Sequence, residues 1–241
     1  GSYLSNRNNL LQRYQSLQEV LALDELPQRL ECFDISHSSG EATVASCVVF
    51  DQNGPLKSNY RRFNIDGITP GDDYAAMSQA LKRRYTRLKK GEGQLPDILF
   101  IDGGLGQLNA AEKIMEELQV EGVLLVGVAK GPKRKAGLES LIMSGMPQLN
   151  LPSDNPALHL IQHIRDESHR FAITAHRNRR GKRRTESVLE SIEGVGPKRR
   201  RSLLRHFGSA GQVQSASVEE LSKVKGVSRV LAEHIYASLH N

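Results

Sequence analysis

The chain has 241 residues, 38% of them apolar, enough for one domain of ordinary size and a small second one. Its formal net charge of +6 favours a polyanionic partner, and taken alone would also suit an acidic membrane surface or an acidic protein. Two cysteines, Cys32 and Cys47, are too few for a disulfide framework or a four-ligand zinc site. No apolar run approaches the length of a membrane span and no secretory signal is read, so a cytoplasmic location is expected.

Residues 1–26 begin polar and then place Leu10, Tyr14, Leu17 and Leu21 at helical spacing, which predicts a helical or linker segment ending before Pro27. Two strand-like runs follow, Leu30 to Ile35 and Ala42 to Phe50. A turn at Asp51-Gln52-Asn53-Gly54 separates them from a third extended run, Tyr60 to Ile65. A helix fits Tyr74 to Lys90, with Asp72 read as its cap. Asp97 to Asp102 reads as a buried strand ended by Gly103-Gly104. Gln107 to Leu118 reads as a helix, and Val123 to Ala129, apolar nearly throughout, as a covered parallel strand. A loop rich in glycine and lysine comes next, then a long helix from Asn155 to Ala175.

The composition then shifts. Arg177 to Arg184 carries six positive charges in eight residues, which predicts a self-repelling, solvated linker over 177–185. It separates an expected main domain, 27–176, from a small all-helical one, 186–241. Within the latter one local plan occurs twice: Ser191-Ile192-Glu193-Gly194-Val195-Gly196-Pro197-Lys198 and Ser222-Lys223-Val224-Lys225-Gly226-Val227-Ser228-Arg229. Apolar helical runs flank each copy. A tight glycine turn between two helices lets the backbone approach a ligand closely, and the amides opening the second helix favour an anion. The pair resembles the tandem helix-hairpin-helix module of DNA repair proteins. Expected DNA-binding positions are Gly194, Val195, Gly196, Lys198, Arg199, Gly226, Val227, Ser228 and Arg229. Ser228 departs from the pattern, standing where a later glycine would be.

Three antiparallel strands, a helix, a strand, a helix, a strand and a final helix is the order of an RNase H-like α/β fold, a mixed sheet with flanking helices. In such a sheet one carboxylate sits on the first strand and another at the end of the fourth. Asp34 interrupts Cys32-Phe33-Asp34-Ile35, and Asp102 closes Ile98-Leu99-Phe100-Ile101-Asp102. An aspartate in a buried strand is costly unless it is paired or metal-bound. Alone, Asp34 could be a strand-end residue accepting from Ser36 or Ser38, and Asp102 a turn residue before the glycines. Asp166, Glu167 and His169 are candidates on the last helix, where His169 flanks the buried stripe and Glu167 falls away from it. Asp73 is a further acidic candidate.

The segments Glu31-Cys32-Phe33-Asp34-Ile35-Ser36-His37, Ile101-Asp102-Gly103-Gly104-Leu105-Gly106-Gln107 and Asp166-Glu167-Ser168-His169-Arg170-Phe171-Ala172 resemble motifs of the UvrC family of bacterial excinuclease subunits. The resemblance runs from about residue 27 onward. It implies the C-terminal half of that family, without its N-terminal GIY-YIG nuclease domain or most of the segment that contacts UvrB. It also implies a metal-dependent DNA endonuclease making the 5′ incision of nucleotide excision repair, with Asp34, Asp102 and His169 as catalytic and metal-binding residues. Mg²⁺ or Mn²⁺ is the implied ion, since both take oxygen ligands. The implied partners are lesion-bearing double-stranded DNA, UvrB and the UvrA–UvrB–DNA assembly.

Two rival readings remain. One is a non-catalytic DNA-binding adaptor on a degenerate nuclease fold, which loss of an acid would favour; none is lost. The other is a nucleotide site at Gly103-Gly104-Leu105-Gly106. Asn109 stands where a third fingerprint glycine belongs, and no Walker lysine follows.

Overall fold

In a computed structural model, residues 2–37, 43–131 and 139–240 are described. The chain divides into two compact units, residues 1–173 and 174–241.

The first unit opens with α1 (Ser2–Val20), whose Tyr14 and Leu17 are fully buried three residues apart on one face. The Tyr14 hydroxyl donates to the Asp51 carbonyl at 2.6 Å, and Ser16 Oγ donates to Asn155 Oδ1 at 2.9 Å. The N-terminal segment is therefore part of this unit's core. Strands β1 (Arg29–Ser36), β2 (Val44–Asp51), β3 (Gly54–Pro55) and β4 (Arg61–Asn64) form an antiparallel meander. Gly54, at φ +105°, makes the predicted turn. The expected strand start at Ala42 lies outside the described residues.

Helix α2 (Asp73–Lys89) is capped as expected, Asp72 Oδ1 accepting from the Ala75 amide at 3.1 Å. Then come β5 (Ile98–Asp102), α3 (Leu105–Glu117) and β6 (Leu124–Ala129), all close to their predicted bounds. A short antiparallel extension, β7 (Ser140–Ile142) and β8 (Leu149–Asn150), is legible only in the structure. Most of the expected glycine- and lysine-rich loop, 132–138, lies outside the described residues.

The sheet runs β3-β2-β1-β5-β6-β7-β8, with β4 also on β2. β1, β5 and β6 are parallel, and this apolar centre is covered over most of its length, as parallel strands require, with Leu124 and Leu125 half-buried. Side chains alternate across it. Phe33 meets Tyr85 of α2 on one face, and Asp34, the next residue, points to the other.

Helix α4 spans Pro156–Ser191. Residues 177–184, expected as a linker, are thus helical, and the division between units falls inside α4. Like charges repel, but Arg and Lys are good helix formers and the run holds no proline, so propensity prevails. The second unit adds α5 (Pro197–Phe207), α6 (Ala210–Ser215), α7 (Val218–Ser222) and α8 (Arg229–His240) around Leu189, Leu203, Val213, Leu221 and Ile235.

Candidate active site

The β1/β5 register fixes the central pair. Phe33 lies opposite Ile101, so the next step along both strands brings Asp34 beside Asp102. Four residues after Arg165, one turn along α4, His169 reaches the same place. Ligand atoms of Asp34, Asp102 and His169 all lie within 4.8 Å of one another. His169 Nε2 is 2.8 Å from Asp102 Oδ2 and 3.9 Å from Asp34 Oδ1.

The two carboxylates differ in their surroundings. Asp102 also receives Arg165 at 3.3 Å from its Oδ1. Burial alone would raise its pKa, but the hydrogen bond from His169 and the charge of Arg165 outweigh burial and hold it below the usual range. The same hydrogen bond raises His169 against burial, and Asp34 adds to that rise. Among the described residues Asp34 has one ion-pair partner within 4 Å, His169. Burial pushes it up to about 6, with the Asp102 charge adding to the rise and His169 opposing it. Two oxygen donors and one imidazole converge here, one acid poorly compensated. That donor set fits a hard divalent cation, which would supply the missing positive charge.

The other candidates go elsewhere. Glu167 accepts from the Tyr60 hydroxyl at 3.0 Å and from Arg170 at 2.9 and 2.6 Å, away from the cluster. Asp166 is exposed. Asp73 pairs with His37, whose other ring nitrogen lies 2.7 Å from Thr43 Oγ1. Ser38 lies outside the described residues. Arg165 escaped the sequence reading. It braces Asp102 and also meets Glu139 Oε1 at 3.2 Å. Gly103, at φ +155°, turns the chain after Asp102, and a Cβ there would come within 2.6 Å of Gln107.

In the second unit the turn glycines Gly194 and Gly226 have φ of +86° and +87°. Val195 and Val227 are buried, and their amides donate to Ile192 and Val224, so both serve the turns rather than facing outward. Gly196 precedes α5, which Pro197 opens. Ser228 replaces the second glycine by capping α8, its Oγ accepting from the Leu231 amide at 3.2 Å. Arg199 ties the two turns together, donating to the Gly226 carbonyl at 2.9 Å and the Gly194 carbonyl at 2.8 Å. Lys198, Arg199, Lys225 and both turns border a recess of about 490 Å³. Lys225, unremarked in the sequence, adds a cation there. Arg229 is exposed and lies 3.6 Å from Glu233.

A mixed sheet with flanking helices, its two aspartates side by side beneath a helical histidine, is an RNase H-like fold. Residues 18–173 match the UvrC RNAse H endonuclease domain and residues 186–241 the SAM-like helix-hairpin-helix tandem. The chain belongs to the UvrC family. It is 63% identical over 239 residues to UvrABC system protein C of Pseudomonas putida (strain W619), covering 99% of this chain and 39% of that protein. Against the Pseudomonas aeruginosa (strain LESB58) protein it is 62% identical over 242 residues, covering 100% of this chain and 40% of that one. The chain thus spans about two-fifths of the length of these curated relatives. A crystal structure of human ENDOV overlaps 46% of this chain and 49% of its own at 18% identity, with a TM-score of 0.34, too loosely to carry an argument. No helix among the described residues is long and apolar enough to cross a membrane.

Proposed function

We propose that this chain is the part of a nucleotide excision repair endonuclease that hydrolyses a phosphodiester on the 5′ side of a lesion. Its substrate is double-stranded DNA presented by UvrB after UvrA–UvrB loading. The observation that carries the proposal is the convergence of Asp34, Asp102 and His169 within 4.8 Å on a UvrC-type domain. These three residues would hold Mg²⁺ or Mn²⁺, which when bound supplies positive charge at the scissile phosphate and acidifies a water. Arg165 fixes Asp102, and Asp102 orients the His169 ring, so the donors are set before substrate arrives. In the hydrolysis a water oxygen bonds to phosphorus, the phosphorus–sugar oxygen bond breaks, and the departing oxygen takes up a proton.

The tandem hairpins grip duplex backbone through the first-turn amides of α5 and through Lys198 and Lys225. Contacts of that kind position DNA without reading bases. The test uses full-length protein with UvrA and UvrB on a lesion-bearing duplex. Chelation should abolish 5′ incision, and Mg²⁺ or Mn²⁺ should restore it. His169→Ala should lower the rate strongly with little change in thermal midpoint. Incision that survives chelation, or loss of activity matched by unfolding, would overturn the proposal.

A further inference from the structure

β1 begins at Arg29, five residues from Asp34 and so about 17 Å away along an extended strand. At that end Arg29, Arg61, Arg84 and Arg87 line a recess of about 200 Å³, together with Asn59 and Glu92. Arg29 is 8% exposed, yet its Nε has no hydrogen-bond partner. The nearby acid, Glu31, stands 3.6 Å from that nitrogen, beyond hydrogen-bond reach. Both Glu31 oxygens are already occupied. Arg84 donates to them at 2.8 and 2.9 Å, and the Tyr85 hydroxyl donates at 2.7 Å. One buried carboxylate therefore faces two buried guanidinium groups, an imbalance that costs desolvation energy without full return.

Arg61 and Arg87 are exposed and add two more positive charges at the mouth. Arg61 anchors one nitrogen to the Ser58 and Tyr60 carbonyls at 2.9 and 2.8 Å, which holds its fork in place. Arg29 is steadied by donating to Asn59 Oδ1 at 3.2 Å. Glu92 is the one acid among the residues lining the recess. With Glu31 behind it, the recess keeps an excess of two positive charges. Its volume and converging planar forks match a tetrahedral oxyanion.

We propose that this recess binds a phosphate group, either free or esterified in a nucleic-acid backbone. It is separate from the Asp34–Asp102–His169 cluster and stands whether or not that cluster cuts DNA.

The experiment follows the Arg29 Nε–Hε resonance in the ¹⁵N-arginine-labelled chain, titrated with orthophosphate and separately with a short undamaged duplex. Phosphate should move the resonance saturably. Arg61→Ala with Arg87→Ala should weaken that response roughly tenfold or more, since each removes a charge-assisted hydrogen bond. Both side chains are exposed, so an unchanged thermal midpoint should accompany the loss. Glu92→Gln should tighten binding. Movement with the duplex as well, and a log–log salt slope flatter by about one unit in the double variant, would assign the phosphate to DNA backbone. Movement with orthophosphate alone would assign a free anion. A resonance that neither ligand moves, or a double variant that responds like the parent, would overturn the proposal.

Discussion

Asp34 carries a conflict that can be measured. Its folded pKa of about 6 lies above the unfolded value of about 3.9. The folded state therefore keeps a proton that the unfolded chain has released, and metal-free stability falls as pH rises from about 4 to about 6. The penalty, present in full above that window, is on the order of 2–3 kcal/mol. Asp34→Asn should raise the thermal midpoint in EDTA at about pH 7.5 and leave it nearly unchanged near pH 4. A midpoint lowered equally at both would show that the carboxylate braces the fold. Metal binding should carry the opposite signature. Below about pH 6 an ion must displace protons from both Asp34 and His169, so Mn²⁺ affinity should climb steeply with pH. Above it the climb should continue more gently, because His169, raised by Asp102, still holds its proton. A plateau at about 6 would remove His169 from the ligands. The two aspartates were visible in the sequence because each interrupts or ends an apolar strand. Arg165 was not, because a buried arginine on a helix looks like any amphipathic residue until its partner is placed.

The hairpins and the buried Glu31 network make the next predictions. Gly194 has φ +86°, and a Cβ there would lie 3.1 Å from Leu231. Gly194→Val should thus disturb both turn and packing and weaken duplex binding more than loss of any one arginine. Lys198 touches only phosphate in this account, so Lys198→Ala should flatten the log–log salt slope by about one unit and affect all DNA sequences alike. A changed sequence preference at constant slope would contradict it. On the sheet, Arg84→Met would take two hydrogen bonds from the fully buried Glu31 carboxylate and leave it the Tyr85 hydroxyl and, at 3.6 Å, Arg29. Urea unfolding should show a loss of about 3–5 kcal/mol, with the midpoint and not the slope carrying the change. Patterning exposed the long elements well, since α2, β5, α3 and β6 have clear periods and clear stops. It missed β7 and β8, whose three and two residues are too short to show a period. The helical state of the basic run was not legible because charge repulsion was weighed without helix propensity.

The proposed function divides the work between the two units. The residues of the sheet domain's core all precede residue 173, so a chain ending at 185 should fold with its core complete and lose most duplex affinity. Calorimetry and a binding isotherm on that fragment check both halves of the statement, and undiminished affinity would contradict the second. Fold class and family were legible because three separated motifs and a duplicated hairpin agree on one architecture. The arginine recess was not, because its four members come from β1, β4 and α2 and meet only when folded. The central claim is that Asp34, Asp102 and His169 form the nuclease centre. The most direct test is Mn²⁺-dependent cutting of a lesion-bearing duplex by full-length protein with UvrA and UvrB, comparing the parent with Asp34→Asn. The account predicts that the variant binds DNA like the parent and makes no 5′ incision. A variant that still cuts on the 5′ side at the parent's rate would contradict it.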